Sequence, residues 1–303
     1  MNYDVILVRY GELSLKSAYV RHYFESTLIR NIKKALTKEA LPHTITKDRG
    51  RIYLTTPEIS RSLAVLPRIF GIVSFSPAVK TTSTLPEISA LALKLSKNLL
   101  TKEKSFAIRT TRTGKHEFTS QEVAIHIGND LVKSTSARVD LTYPDVELFI
   151  EIRDQHAYLF TEKCKGPGGL PLGTQGKIVA LIDEPTSLLA AWYLMRRGCN
   201  IILVTSGKSN EETLRSFLHL WYTDPEIILL DFKGKNFFDQ LNTIALQHNC
   251  DAVITGHTLE EPARTLEEIT KLKQQIAIPV LTPLIAMTHK QIQHEYTTRG
   301  KPQ

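Results

Sequence analysis

Residues 177–205, KIVALIDEPTSLLAAWYLMRRGCNIILVT, decide the fold of the second part of the chain. Two short apolar runs, 177–182 and 200–205, flank a stretch that favours a helix over 187–197. This order is typical of a βαβ unit with two parallel, buried strands. The same alternation continues with strand-like runs at 226–232, 250–256 and 279–284 and helical stretches at 211–222, 236–248 and 262–274. We therefore predict an α/β doubly wound parallel sheet over residues 177–303.

The part of the chain before residue 166 mixes strands and helices differently. Its patterns predict strands at 3–9, 51–56, 72–80, 105–112, 137–141, 146–153 and 157–161 and helices at 20–36, 58–69, 86–100 and 119–133. Thr119 and Glu122 have the spacing of a helix capping box. The segment 166–176, GPGGLPLGTQG, is rich in glycine and proline, which predicts a linker. We therefore predict an α+β first half that ends at this linker.

Composition excludes several classes of protein. The chain has 303 residues, of which 42% are hydrophobic and 23% are charged, as in ordinary globular proteins. No apolar run approaches the roughly 18 residues of a membrane helix, so we predict no membrane association. Three cysteines and a start without signal-peptide features predict a cytoplasmic location. No His or Cys spacing resembles a zinc site, so we predict no metal.

Positive charge is concentrated in the first half. Residues 1–176 hold 25 basic and 17 acidic side chains, whereas residues 177–303 hold 13 basic and 14 acidic ones. Such an excess favours a polyanionic partner, although a merely basic domain is equally compatible with it. The tract Arg109–Phe118 combines cations, hydroxyls and an aromatic ring, as nucleic-acid-binding segments do. A solvated turn is the alternative interpretation of this tract.

The turn after the strand at 177–182 is unusual for a nucleotide-binding sheet. It reads Asp183-Glu184-Pro185-Thr186-Ser187, without the glycines that let backbone N–H groups approach phosphate. Two carboxylates repel phosphate, and Pro185 offers no N–H donor. We therefore predict a poor triphosphate site. The favoured interpretation of this turn is a solvated helix cap, in which Asp183 or Thr186 serves the start of the helix.

Six blocks of the sequence resemble one family, the tRNA 4-thiouridine synthetases, also called tRNA sulfurtransferases. The resemblance runs in order through essentially the whole chain. The blocks are RYGELSLK (9–16), RTTRTGKHEFTSQEV (109–123), TEKCKGPGGLPLGTQGKIVALI (161–182), YLMRRGC (193–199), TGHTLEEPARTLEEI (255–269) and IPVLTPLIAM (278–287).

The resemblance implies a domain order and a reaction. It implies an N-terminal ferredoxin-like domain (1–75), a tRNA-binding THUMP domain (76–165), a linker (166–176) and a PP-loop ATP-pyrophosphatase-like domain (177–303). In this family ATP adenylates uridine 8 of tRNA, and sulfur then replaces the oxygen. The predicted RNA-binding residues are Arg9, Lys16, Arg49, Arg51, Arg109, Arg112, Lys115, His116, Lys163 and Lys165. The predicted nucleotide-pocket positions are Leu181, Ile182, Asp183, Thr186, Ser187, Thr205, Ser206, Gly256 and Arg264.

Two departures from the family pattern shape the functional expectation. The family loop SGGxDS corresponds to Asp183–Ser187, which is one residue shorter and has lost both glycines. The sequence ends at Gln303, before the position of the family's catalytic cysteine, so we assign no catalytic residue. The favoured hypothesis is a tRNA-binding protein without autonomous adenylation.

Two other functions and one assembly are compatible with the same sequence. A divergent but active sulfurtransferase would bind ATP as its cofactor and take sulfur from a donor protein of the cysteine desulfurase type. A homodimer is a further candidate assembly. An RNA methyltransferase is the third hypothesis, because THUMP domains also occur in such enzymes.

Overall fold

The computed structural model describes residues 3–11, 17–48, 50–207 and 211–299. Its strands are β1 (Val5–Tyr10), β2 (Thr44–Asp48), β3 (Arg51–Thr55), β4 (Ile72–Thr82), β5 (Ser105–Thr113), β6 (Arg138–Val139), β7 (Val146–Arg153), β8 (His156–Phe160), β9 (Cys164–Lys165), β10 (Gln175–Ile182), β11 (Cys199–Thr205), β12 (Ile227–Leu229), β13 (Ala252–Ile254) and β14 (Val280–Leu281). Its α-helices are α1 (Ala18–Lys38), α2 (Ile59–Val65), α3 (Leu85–Ser96), α4 (Ser120–Thr135), α5 (Ser187–Arg196), α6 (Glu211–Leu220), α7 (Phe237–Gln247), α8 (Pro262–Gln275) and α9 (His289–Arg299).

The described residues form two compact units that interleave along the chain. The first unit takes its residues from Met1–Arg9, Leu41–Ala64 and Ser74–Lys165. The second unit takes its residues from Tyr10–Ala40, Val65–Val73 and Gly166–Gln303. Helix α1 therefore belongs with the second unit, where Asn31 Nδ2 donates to the Leu172 carbonyl (2.9 Å).

The first unit is built on one mixed sheet. Among the described residues its strands lie in the order β2-β3-β1-β4-β8-β7-β5-β6, and β9 pairs with β4. Helices α3 and α4 pack on one face, where Ile88, Val123 and Ile127 share a buried core with Phe106 and Ile150. The predicted boundary between residues 75 and 76 falls within β4. The α+β organisation predicted for this half is confirmed.

The second unit contains a parallel sheet with helices on both faces. Its strand order is β12-β11-β10-β13-β14, and every pairing is parallel. Alternate residues of β10 enter different cores: Ala180 packs with residues of α5, α6 and α9, while Leu181 packs with residues of α7 and α8. This alternation is what a strand buried on both faces requires. The predicted doubly wound sheet is confirmed.

The glycine-rich segment 166–176 is packed tightly within the second unit. The Leu170 N–H donates to the Arg196 carbonyl (2.9 Å). Gly169 has a φ of +75°, and a Cβ at this position would lie 2.0 Å from the Arg196 carbonyl oxygen. Only glycine fits both conditions. The last two residues of the predicted linker, Gln175 and Gly176, already belong to β10.

Several predicted elements differ from the observed ones. The helix predicted at 58–69 ends at Val65 and continues as a 3₁₀ turn over Leu66–Arg68, because Pro67 has no N–H donor for an α-helix. The strands predicted at 137–141 and 226–232 shorten to β6 and β12. The sequence did not predict β2, β9 or α9. The capping box is confirmed, since Thr119 and Glu122 exchange both hydrogen bonds.

No helix in the described part of the chain has the length and apolarity needed to cross a lipid bilayer.

Candidate functional site

The carboxyl ends of the central parallel strands border a cavity of about 300 Å³. The predicted residues that it brings together are Asp183, Thr186, Ser187, Gly256 and Arg264. Four other predicted positions do not line it. The side chains of Leu181 and Ile182 are buried in the two cores, and Thr205 lies beside Ile182 in register, with Ser206 following it.

The loop between β10 and α5 satisfies its own polar groups. Asp183 accepts hydrogen bonds from the Ser187 hydroxyl and, at 3.0 Å, from the Glu184 N–H. The Ser187 N–H donates to the Glu184 carbonyl (3.0 Å), and Pro185 has no donor. Thr186 occupies the N-cap position of α5, as the cap interpretation predicts, but its side chain makes no capping hydrogen bond. Few donors of this loop are left for an anionic ligand.

Five carboxylates line this cavity together with Arg264 and two histidines, His257 and His289. Asp183, Glu184, Glu260, Glu261 and Glu268 all border it. Arg264 is ion-paired with Glu268 (Nε–Oε1, 2.9 Å) and with Glu261 (Nη1–Oε2, 3.3 Å). The hydrogen bonds to Glu268 and Glu261 raise the pKa of Arg264 above its ordinary value. The guanidinium thus faces two carboxylates on the surface of α8, where 70% of its side chain is exposed.

A histidine joins the same network. His257 Nδ1 lies 2.7 Å from the Thr255 hydroxyl, and its Nε2 lies 3.2 Å from Glu268 Oε2. Burial alone would raise the pKa of Glu268, but hydrogen bonds from Arg264 and His257 lower it. Glu268 therefore stays ionised and adds to the negative charge of the cavity.

Gly256 sets the spacing between two of the loops. A Cβ at Gly256 would lie 2.4 Å from Ser187 Oγ and 2.9 Å from Ser187 Cα. The chain after β13 therefore rests directly on the first turn of α5, and Ser187 is only 3% exposed. A side chain at position 256 would therefore collide with Ser187.

The first unit holds a cluster of arginines around one buried carboxylate. Glu151, only 4% exposed, accepts hydrogen bonds from Arg9 Nη2 (3.1 Å), Arg51 Nε (2.6 Å) and Arg153 Nε (2.6 Å). Burial alone would raise the pKa of Glu151, but the charges of the three arginines keep it below its ordinary value. Three cations on one anion leave a positive excess at this place on the sheet.

The predicted RNA-binding residues Arg9 and Arg51 thus meet on Glu151. Arg9 also donates to the Ser76 hydroxyl (3.0 Å) and lies over the Phe160 ring (4.8 Å). Since Arg9 is only 9% exposed, its geometry favours a structural role within the cluster. Arg51 is more accessible, with 24% of its side chain exposed. The predicted residues Lys16 and Arg49 lie outside the described residues.

The basic tract of β5 is divided between the two faces of the sheet. Phe106 and Ile108 point toward α3 and α4, so alternation places Arg112 on that side and Arg109 on the opposite one. Arg109 pairs with Glu147 (2.8 Å) and donates to the Leu141 carbonyl (2.8 Å). Arg112 donates to the Gly114 carbonyl (3.4 Å), and in the part of the chain that the structure describes it has no carboxylate ion pair.

The remaining predicted cations lie on exposed turns and strand ends. His116 Nε2 lies 3.2 Å from the Thr113 carbonyl, and its ring stacks on Phe118 with centroids 5.4 Å apart. Lys115, Lys163 and Lys165 are exposed. These side chains are accessible to a large partner.

Glu151 and Arg153 were not among the residues predicted from sequence. The segment VELFIEIR (146–153) contained a usable signal, because Glu147, Glu151 and Arg153 alternate with apolar residues that a helix layer covers. A charged residue in the middle of an apolar strand predicts a buried ion pair. Two arginines that pair with Glu151, Arg9 and Arg51, lie 142 and 100 residues away in the sequence, and the alternation of a strand does not identify them.

Among the described residues, no group of three or more His, Cys, Asp or Glu side chains is arranged to hold a metal ion.

The two halves define a class of protein: a ferredoxin-like and THUMP half followed by a parallel nucleotide-type sheet. Three family models match the chain. The ThiI ferredoxin-like domain matches residues 5–76, the THUMP domain matches residues 82–162, and the thiamine biosynthesis protein (ThiI) matches residues 226–298. The loop at 183–187 lies between the last two matches.

Curated relatives identify the family. A probable tRNA sulfurtransferase of Methanobrevibacter smithii is 33% identical over 96% of this chain and 85% of the relative. One from Methanothermobacter thermautotrophicus is 35% identical over 97% of this chain and 84% of the relative. The chain therefore belongs to the tRNA sulfurtransferase family. The hypothesis of an RNA methyltransferase receives no support from these relatives.

Solved structures agree with this assignment. The crystal structure of PH1313 from Pyrococcus horikoshii has a TM-score of 0.84 and 31% identity, and the match covers 98% of this chain and 99% of that one. The crystal structure of a 4-thiouridine synthetase–RNA complex with bound ATP has a TM-score of 0.79 and 25% identity. That match covers 99% of this chain and 85% of the other.

Proposed function

We propose that this chain binds tRNA and does not hold ATP for adenylation on its own. Its family, its THUMP domain and its likeness to a structure that contains RNA all support tRNA as the partner. The excess of basic residues before residue 177 supports the same partner, because cations that neutralise phosphates release counterions. A cytoplasmic location and a homodimer stay predictions.

The contacts of the loop at 183–187 are the observation that supports the loss of ATP binding. A triphosphate needs backbone N–H donors or free cations around it. Here the Ser187 hydroxyl donates to Asp183, and Arg264 is paired with Glu261 and Glu268. The surrounding carboxylates repel a polyanion, and a cavity of about 300 Å³ is at the lower limit for a ligand site.

Isothermal titration calorimetry of the purified chain with tRNA and with ATP tests both parts of the proposal. We expect saturable heat with tRNA at moderate salt and no saturable heat with millimolar ATP, whether or not tRNA is present. An ATP-binding 4-thiouridine synthetase serves as the positive control. A saturable ATP isotherm, or release of AMP that depends on tRNA, would contradict the second part of the proposal.

A divergent, active tRNA sulfurtransferase is the second candidate function. The whole-length match to a synthetase complex with bound ATP favours it. This function requires that tRNA binding reorganise the acidic loop, and it requires a sulfur donor, for which a protein of the cysteine desulfurase type is the candidate. Deleting the gene would then abolish 4-thiouridine in bulk tRNA. The first proposal predicts instead that 4-thiouridine persists when this gene alone is deleted.

Two arginines of β5 provide a test of the RNA contact. We expect Arg112→Ala to weaken tRNA binding and to lower the slope of log K against log [salt] by about 0.7–0.9, the value for one lost phosphate contact. Arg109→Ala should have a smaller effect, because that guanidinium is paired with Glu147. Filter binding over a series of KCl concentrations measures both slopes.

Lys94→Ala, which removes an exposed cation on α3, is the matched control and should leave the slope unchanged. If Arg109→Ala and Arg112→Ala both bind tRNA like the parent chain, the tract is an ordinary solvated turn.

A further inference from the structure

Helix α1 presents a basic and aromatic face to solvent. At 100° per residue, Tyr19, Tyr23, Arg30, Lys33, Lys34 and Lys38 fall within an arc of about 140°. Phe24, Leu28 and Ile32 point the opposite way and are buried. Tyr19 is 84% exposed and Tyr23 is 45% exposed. The helix thus carries four cations and two tyrosine rings on one side.

The cations of this face have no carboxylate partners in the part of the chain that the structure describes. In the described residues, no ion pair joins Arg30, Lys33, Lys34 or Lys38 to an acidic side chain; Arg30 only approaches the Thr27 hydroxyl, at 3.4 Å. The acidic residue within the helix, Glu25, is buried and accepts the Tyr10 hydroxyl (2.6 Å). Like charges one turn apart, such as Arg30 with Lys34, destabilise a helix unless an anion lies between them.

The same face borders a cavity of about 490 Å³ in the second unit. Arg30 and Lys34 line it from α1, and Lys177 lines it from β10. Asp224 and Glu226 are the acidic lining residues, and Glu226 lies 3.6 Å from His248. The stacked rings of Phe70 and Trp221, with centroids 4.8 Å apart, form part of the wall. This cavity lies at the amino ends of the parallel strands, at the opposite edge from the loop at 183–187.

We propose that the exposed face of α1, with the cavity beside it, is a second contact surface for tRNA. Arg30, Lys34 and Lys38 neutralise phosphates of the backbone, and Tyr19 and Tyr23 offer stacking faces to unpaired bases. Charge complementarity supports this occupant, because four cations that have no ion pair within the described residues match a polyanion. The inference rests on the tRNA binding proposed above and adds a surface of the second unit to it.

A pair of double variants in the full chain tests this surface. Lys34→Gln with Lys38→Gln removes two charges from the face. Lys235→Gln with Lys273→Gln removes two exposed lysines elsewhere in the second unit and is the matched control. Binding of tRNA is titrated at several KCl concentrations. For the first pair we expect about tenfold weaker binding at low salt and a salt slope lower by about 1.5, which is two phosphate contacts. The control pair should match the parent.

The remaining outcomes separate the two proposals. If the parent and both double variants bind tRNA with the same affinity and slope, this surface is not used and the proposed function stands. If the parent itself does not bind tRNA, both proposals are wrong. If the Lys34 and Lys38 changes abolish flotation with anionic phosphatidylserine vesicles but leave tRNA binding intact, the face binds membranes and the inference is wrong.

Footprinting of the parent chain provides a readout without any variant. Bound tRNA should slow the acylation of Lys34 and Lys38 by an amine-reactive reagent, relative to Lys235 and Lys273. If tRNA changes the acylation rates of all four lysines by the same factor, the proposal is overturned. This readout holds even if a variant misfolds.

Discussion

Glu151→Gln is expected to lower the free energy of unfolding by about 3 kcal/mol at pH 7, because removing one partner of a buried ion pair leaves uncompensated charge. Three guanidinium groups donate to this carboxylate, and the side chains of Arg9, Arg51 and Arg153 are at most 24% exposed. The amide keeps the shape of the side chain but not its charge. Chemical denaturation with urea measures the change.

The effect of this substitution should depend on pH in a defined direction. The pKa of Glu151 lies below its ordinary value of 4.5 in the folded chain, so its ionised form is stabilised by folding. Its contribution is fully present above pH 4.5 and is lost as the pH falls through the lowered folded pKa. The difference between the parent and Glu151→Gln should therefore be constant near neutrality and shrink in acid.

Glu147→Gln is the matched control, since Glu147 lies on the same strand and face and also pairs with an arginine. Both side chains of the Glu147–Arg109 pair are 39% exposed, and exposed pairs contribute about 0–1 kcal/mol. If Glu151→Gln costs no more than Glu147→Gln, the arginine cluster does not stabilise the first unit.

Restoring a glycine loop is expected to give the chain an ATP site. Replacing Asp183–Ser187 with Ser-Gly-Gly-Thr-Asp-Ser reduces the carboxylates of the loop from two to one, removes Pro185 and adds two glycines, whose N–H groups can approach phosphate. We expect ATP to bind at least about tenfold more tightly than to the parent, since even one charge-assisted hydrogen bond contributes about 1.5–3 kcal/mol. Calorimetry with ATP measures the gain.

The double variant Asp183→Asn with Glu184→Gln distinguishes two effects on ATP affinity, the removal of negative charge and the addition of backbone N–H donors. It removes the repulsion but keeps Pro185 and adds no glycine, so its gain in ATP affinity should be smaller. Equal ATP affinities for the parent and the glycine loop would mean that the acidic loop is not what limits nucleotide binding.

The repeating elements of this fold could be predicted from the sequence because each follows a local period. The runs at 177–182 and 200–205 each contain an unbroken apolar stretch (178–182 and 201–204), as strands buried on both faces do, and both strands were confirmed. β2 was not predicted, because TITKD is largely exposed and has no apolar alternation. The helix at 58–69 was drawn too long because its apolar pattern continues past the residue at which Pro67 interrupts α-helical hydrogen bonding.

The site residues were predictable only where they are close in sequence. Asp183, Thr186 and Ser187 follow one strand, and their position at its carboxyl end follows from the topology. The ion pairs of Arg264 with Glu261 and Glu268 have helical spacing, but the sequence does not reveal whether the guanidinium is free. The cluster on Glu151 joins strands far apart in the chain. Long-range pairs of this kind depend on strand order, which local patterns do not encode.

The continuity of β4 limits how this chain can be divided. Its first half pairs with β9 and its second half with β8, and the ferredoxin-like and THUMP matches meet between residues 76 and 82 of this strand. A gene split at that point would give two fragments, each ending in a severed strand with unsatisfied backbone groups. A truncation of this chain at the boundary between its ferredoxin-like and THUMP matches would therefore cut through a paired strand of the first unit.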